Sequence, residues 1–352
     1  PTNNLLAELT LPGITPNVQQ TLLAGLGTGL KRRGSSLSAI LAAESTPREL
    51  RQQVDQLFMR AATIAKTPSS ELQRRISAVK LLGYADSQTA VDNLPVLLNP
   101  QSPRELQLAA VTSLGNHDPQ ITTKPLLASW RTYSPEVRRN VVDVMMKNSV
   151  AIQGLLAAVQ ADTIKRSDIE RDKKQLLMKH PNAAVKATSI KLFGNEVSTD
   201  RGKIVAQMQN VLQLDADPTR GLEVFRKKCS TCHQVGKIGT QVAPDLSSVK
   251  NKSAADLLIS ILDPNREAQP NFNVYTVVTL QGQIFTGIIA TETSNSITLR
   301  RAEGKQDVIL RSNIDELIST GTSLMPEGFE KELTPQNIAD VIAFVKSIGD
   351  SK

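Results

Sequence analysis

Both cysteines of this 352-residue chain, and one of its three histidines, fall in a single run: Cys229-Ser230-Thr231-Cys232-His233. Thiols two residues apart can each add across one vinyl group on the same side of a porphyrin, and the adjacent imidazole is a strong axial donor for iron. C-x-x-C-H is therefore the attachment signature of a c-type haem. The cofactor expected is one haem c, covalent through Cys229 and Cys232, with His233 as the proximal metal ligand. Three other chemistries use the same residue types. Zinc takes four N, S or O ligands, and the remaining histidines, His117 and His180, lie far upstream. A redox dithiol opens a helix after a strand, whereas this pair closes the helical run Arg220–Lys228. A disulfide across two intervening residues would constrain little chain.

Downstream of His233 there is one methionine, Met325, and no further histidine or cysteine. It sits in Ser323-Leu324-Met325-Pro326-Glu327-Gly328, a Pro/Gly loop that offers no helical face for a methionine to fill. A thioether as sixth ligand stabilises ferrous haem and raises its potential, so Met325 is the expected second metal ligand. A five-coordinate or lysine-ligated iron is the alternative.

Local signals say how these residues are carried. Asp217-Pro218 offers an N-cap and an N1 proline for a helix over Thr219–Lys228 that delivers the cysteines. Val242–Leu246 reads as a loop, and Ala254–Leu262 as a helix closed by Asp263-Pro264. The period then changes to two. Tyr275–Leu280, Gln283–Ala290, Ser296–Arg301 and Asp307–Leu310 alternate and are rich in Val, Ile and Thr, with Gly- and Asn-containing turns between them. The expectation is a small antiparallel β-meander of about four strands, inserted over about 273–312. Helix returns at Thr334-Pro335-Gln336 and stops at Gly349.

Residues 1–212 read as consecutive helices. Leu72, Ile76, Val79 and Leu82 recur at helical spacing before Gly83; Leu108, Val111 and Leu114 do so before Gly115, and Ala187, Ile190 and Phe193 before Gly194. Each glycine is a plausible C-cap. Pro68, Pro103, Pro135 and Pro181 mark helix starts, 35, 32 and 46 residues apart. Those separations suit degenerate two-helix repeats of the HEAT or armadillo kind, which stack because one unit cannot bury its apolar face alone. The charged stretch Asp162–Lys179 fills the longest interval with an extra helix. Trp130, Met145, Met146 and Met178 read as core packing, and no catalytic constellation stands out. The fold class is mainly α: a HEAT-like solenoid over 1–212, then over 213–352 a cytochrome c fold carrying the β-meander.

The C-terminal pattern resembles a class I cytochrome c: a first helix running into C-x-x-C-H, a proline-containing loop, a Met-Pro loop and a closing helix. The resemblance implies that Gly221 and Phe225 on the first helix meet the last helix, with Phe344 as partner. It also implies that the carbonyl of Pro244 holds the ring N–H of His233. The departure is the long interval between His233 and Met325, which the β-meander occupies. Nearly all of the chain is similar to haem-binding proteins of Planctomycetes and Verrucomicrobia, in which a HEAT-like region precedes a cytochrome c domain with a β-insertion. Arg220–Phe225, the haem pentapeptide, Pro244-Asp245-Leu246 and Leu324–Gly328 carry that likeness. In many such proteins a propeller resembling sugar dehydrogenases lies upstream.

Charge and composition bound the partners. Aromatics make up 3% of the chain, and the net charge of +7 is uneven. Residues from Asp215 onward carry 15 basic against 17 acidic groups, leaving the excess of basic groups in 1–214. The basic helical region is a solvated surface or a docking face for an acidic partner. Dispersed basic groups with few aromatics argue against nucleic acid, and no apolar run is long enough for a transmembrane segment. The chain opens at Pro1 without Met or a signal pattern, so it is read as a processed or excised piece. Haem attachment of this type places it in the periplasm or otherwise outside the cytoplasm. The function expected is electron transfer to or from a redox partner protein, a dehydrogenase or another cytochrome, with no catalytic residues in this chain. The alternatives are a haem enzyme or sensor with an open distal site for peroxide or gas, and a HEAT-type binding scaffold with an accessory haem.

Overall fold

The computed structural model describes residues 2–9, 13–194, 199–266 and 270–349; Pro1 lies outside them. They are mainly helical, with one five-stranded antiparallel sheet. By contacts the chain divides into two compact units, residues 1–161 with 293–295, and residues 162–292 with 296–352. None of the described helices is long and apolar enough to cross a membrane.

The first unit contains α1 (Thr2–Leu9), α2 (Pro16–Arg32), α3 (Leu37–Ala42), α4 (Arg48–Lys66), α5 (Leu72–Leu82), α6 (Ser87–Asn93), α7 (Arg104–Leu114), α8 (Pro119–Ala128), α9 (Pro135–Met145) and α10 (Ser149–Gln160). Packing skips one helix at a time: α5 lies on α7 and α7 on α9, while α6 lies on α8 and α8 on α10. Ile76, Val79 and Leu82 are buried as their spacing predicts, whereas in α7 the core stripe is Leu106, Ala110, Val111 and Leu114, with Leu108 only half-buried. Trp130 and Met145 are core, and Met146 is half-buried. Pro103 and Pro135 sit at helix starts; Pro68 falls in the turn before Glu71, the N-cap of α5.

Gly83 and Gly115 end their helices without the left-handed conformation that favours glycine at a C-cap; both have right-handed backbone. Close packing explains them instead. A Cβ on Gly115 would lie 2.2 Å from Cγ1 of Val144 on α9. Gly115→Ala should therefore destabilise the chain by about 1–2 kcal/mol, since a valine side chain can turn aside but not vanish. Urea denaturation followed at Trp130 checks this, and an unchanged midpoint would remove the close approach as the reason for glycine.

The second unit opens with a 3₁₀ turn at Arg166–Asp168 and with α11 (Arg171–Met178), the extra helix expected in the charged stretch; Met178 is half-buried. Next come α12 (Ala183–Phe193) and α13 (Thr199–Gln207). In α12 the buried face is Val185, Ser189, Leu192 and Phe193, not Ala187 and Ile190, and Ile190 is exposed. Its N-cap is Asn182, whose side chain accepts from the backbone N–H groups of Ala184 and Val185, so the helix starts after Pro181.

Helix α14 (Pro218–Lys228) starts at Asp217, whose carboxylate accepts from the N–H of Thr219 at 2.6 Å. After it come two-residue strands β1 (Gln234–Val235) and β2 (Ile238–Gly239), α15 (Ala254–Leu262), the sheet, and finally α16 (Phe329–Glu332) and α17 (Pro335–Ser347). Helices α14 and α17 cross at Gly221, where a Cβ would stand 2.0 Å from the carbonyl oxygen of Asp340. One turn along, the rings of Phe225 and Phe344 lie 5.4 Å apart. Phe225, Leu258, Ile338 and Val341 are buried in this core. Arg201 ties α13 to it, donating from Nε to the carbonyl of Leu262 (2.8 Å) and pairing with both oxygens of Glu330 (2.9 and 3.0 Å).

The sheet consists of β3 (Asn273–Thr279), β4 (Ile284–Glu292), β5 (Ser296–Arg300), β6 (Gln306–Leu310) and β7 (Ile314–Ser323), in the order β6-β5-β4-β3-β7. The first four are the meander predicted from alternation. The fifth goes beyond that expectation and carries the sheet past residue 312 to Ser323. Its register explains why: Val278 pairs with Glu316 but Thr279 with Ile314, so Asp315 is bulged out and the two-residue period breaks there.

Candidate functional site

The C-x-x-C-H run forms a tight turn on the end of α14. Backbone N–H groups of Cys229 and Ser230 donate to the carbonyl of Phe225 at 2.8 and 2.9 Å, and that of His233 to Cys229 at 2.9 Å. The turn is held from outside as well. Val242 and Ala243 donate to the carbonyl of Cys232 at 3.0 and 2.8 Å, and Thr240 to that of Ser230 at 2.9 Å. Gly239 allows this closeness: its φ is +87°, and a Cβ there would lie 2.1 Å from the carbonyl oxygen of His233.

His233 Nδ1 lies 2.7 Å from the carbonyl oxygen of Pro244. A carbonyl can only accept, so Nδ1 carries the hydrogen and Nε2 keeps the free lone pair. Burial pushes the imidazole pKa down and outweighs the opposing pull of that hydrogen bond, which keeps the ring neutral at neutral pH. The Pro244 loop is fixed by Asp245, whose carboxylate accepts from the N–H of Ser247 at 2.8 Å.

Met325 is positioned by the sheet. Strand β7 leads directly into its loop, where Met325 N donates to Ser323 Oγ (3.2 Å) and Leu324 N to the carbonyl of Phe272 (3.1 Å). Asn265 spans the loop, accepting from Ser323 N at 2.7 Å and donating to Glu327 Oε1 at 2.6 Å. The β5–β6 turn reaches the haem motif itself: Glu303 N donates to the carbonyl of Thr231 at 3.1 Å.

Cys229, His233, Pro244 and Met325 all line one cavity of about 610 Å³, within the usual range of ~300–1,000 Å³ for cofactor pockets. Its remaining wall is mostly apolar, with Leu246, Phe272, Phe329 and Ile342 among the lining. Cys232 is not among the lining residues and is half-buried beside it. Burial, with Cys232 adding to it, pushes the Cys229 thiol up to about 11, and burial raises Cys232 too. Redox dithiols instead have lowered thiol pKa values, the opposite of the direction here. Among the described residues no group of three or more His, Cys, Asp or Glu could hold a metal ion unaided. His117 Nε2 meets the carbonyl of Leu82 at 3.1 Å, and His180 Nδ1 accepts from Asn182 N. A neutral imidazole, a thioether and a thiol on an apolar cavity fit a haem, and His233 Nε2 and Met325 Sδ are the atoms that would hold its iron.

The roles of Asn265, Phe272 and Glu303 at this site carry no signal in the sequence, because each acts on residues tens of positions away; Asp263 is legible there only as a helix end. No family model matches the chain, and no curated protein matches it.

Proposed function

We propose that this chain is an extracytoplasmic c-type electron-transfer module: one haem c joined to Cys229 and Cys232, ligated by His233 and Met325. The fold we infer is a class I cytochrome c into which the sheet is inserted, preceded by a HEAT-like solenoid, as in the haem-binding proteins of Planctomycetes and Verrucomicrobia. The single observation that carries this reading is the shared cavity, in which a tautomer-locked His233 and the only methionine after it line one apolar space.

When bound, the haem would supply one-electron ferric/ferrous chemistry. The residues do the rest. Pro244 orients the His233 ring, β7 and Asn265 hold the methionine loop, and the apolar wall excludes water. Were His233 and Met325 both to hold the haem iron, they would leave no place on it for a substrate, so the activity inferred is transfer rather than catalysis. The successive packing of α5, α7 and α9 beside that of α6, α8 and α10 supports a stacked helical scaffold. Such a scaffold would dock the site on a redox partner, a dehydrogenase or another cytochrome. Arg226 and Lys228 are paired with Glu223 and Glu332, and Lys227 and Lys237 are exposed on the same stretch. They would steer an acidic partner, an effect that salt weakens.

The test is the optical spectrum of the oxidised, haem-loaded chain with and without cyanide, beside that of Met325→Ala. The parent should show a far-red Met-to-iron band and bind cyanide slowly; the variant should lose the band and bind cyanide fast. A high-spin parent that binds cyanide at once would overturn His/Met ligation and favour peroxide or gas chemistry.

A further inference from the structure

Asp263 closes α15 and lines the same cavity as His233 and Met325. It is 2% exposed, and among the described residues its Oδ2 has no hydrogen-bond partner. Of the cations acting on the carboxyl, Arg266 has the larger effect and also donates its backbone N–H to the group. Arg201 is committed to the carbonyl of Leu262 and to both oxygens of Glu330. An unpaired, buried carboxylate oxygen is costly while charged, and the group relieves that cost by taking a proton. Burial holds the Asp263 carboxyl above its ordinary range, Glu327 adds to this, and Arg266 and Arg201 oppose it.

We propose, resting on the electron-transfer reading above, that Asp263 is a redox-linked proton-binding site, protonated when the iron held in this cavity is reduced and deprotonated when it is oxidised. The step balances as one electron from an external one-electron donor to ferric iron and one proton from solvent to Asp263 Oδ2, leaving ferrous iron and a neutral carboxylic acid. Oxidation returns both. Reduction removes one positive charge from a cavity where low dielectric screens it poorly, so the anionic carboxylate loses stabilisation. Linkage is reciprocal: if reduction favours the proton, the proton favours reduction. Among the described residues, the charged groups acting on Asp263 are Arg266 from the turn that follows, Glu327 from the methionine loop and Arg201 from α13, which is itself paired with Glu330 of α16. Lys252, before α15, lines the same cavity. The propionates of a bound haem would be two more.

Equilibrium redox titration of the haem-loaded chain across the acid-to-neutral range tests this. Between the pKa values of the oxidised and reduced forms, the reduction equilibrium constant should fall tenfold per pH unit, about 59 mV for one electron. Asp263→Asn, neutral like the protonated acid, should be pH-independent at the parent's acid-limb value. A parent whose potential ignores pH overturns the proposal, as does a slope that survives in Asp263→Asn, which would belong to Glu327, Glu330 or the propionates. Should that variant fail to fold, redox-difference infrared spectra of the parent decide. A carboxylic C=O band must appear on reduction, and its absence overturns the proposal. A chain that takes up no haem overturns the electron-transfer reading itself, whereas a redox-active chain with a flat potential overturns only the role of Asp263.

Discussion

Gly221→Ala should destabilise the C-terminal unit by about 3 kcal/mol, although the same change inside an exposed helix stabilises it by roughly 1 kcal/mol. The sign reverses because α14 and α17 touch backbone to backbone. The added Cβ would stand 2.0 Å from the Asp340 carbonyl oxygen, 2.6 Å from its carbon and 2.7 Å from Cβ of Phe344. None of these atoms can rotate away, unlike the valine methyl that faces Gly115, so the helices must separate. Separation also uncovers Phe225, which is fully buried, and loosens its contact with Phe344. Because α14 runs directly into Cys229, the cavity would lose its wall together with the core. Hydrogen exchange of α14 and α17 amides is the direct measurement. Protection equal to the parent's would show that the crossing tolerates a methyl and that glycine is there for another reason.

Asp340→Ala should cost about 3 kcal/mol at neutral pH, and less in acid. Asp340 is 1% exposed, yet it accepts four hydrogen bonds: from Asp217 N (2.8 Å), Arg220 Nε and Nη2 (2.8 and 2.9 Å) and Gln336 Nε2 (2.9 Å). Its truncation strands the donor that opens α14 and unties the start of that helix from α17. Burial alone would raise the Asp340 pKa, but the bonds from Arg220, Asp217 and Gln336 outweigh it and hold the carboxyl below the usual range. A depressed carboxylate stabilises the fold above the unfolded value of about 3.9 and loses that contribution as pH falls through the folded value. The difference between parent and variant should therefore be full at neutral pH and shrink on acidification below about pH 4. Denaturation at both pH values checks it, and a gap that widens in acid would contradict this sign.

Much of this is legible in the residues. Helix α14 follows from Asp217-Pro218 and its apolar spacing, and the meander from period-two alternation, because both depend on hydrogen bonds between near neighbours. Two helical stripes differ in phase from their spacing, running through Leu106 rather than Leu108 and through Val185 rather than Ile190. Periodicity finds that a face exists, but only neighbouring helices decide which face is covered. The glycines Gly83 and Gly115 mark helix ends correctly for a reason the sequence does not carry, since their close neighbours lie at α7 and α9, each one helix beyond the next. Strand β7 is hidden by the bulge at Asp315.

Sequence alone specifies the chemistry on offer: two thiols and an imidazole in five residues, one methionine beyond them, and the helices and strands that flank them. That these groups meet is a matter of packing. Asn265 reaches Ser323 across 58 positions, Arg220 reaches Asp340 across 120, and Arg201 reaches Glu330 across 129. Only that closure leaves, among the described residues, an unpaired carboxylate oxygen beside the cavity. Spacing along a chain specifies what a few adjacent residues can do, whereas burial and partnership are properties of surfaces that exist only once distant segments have packed.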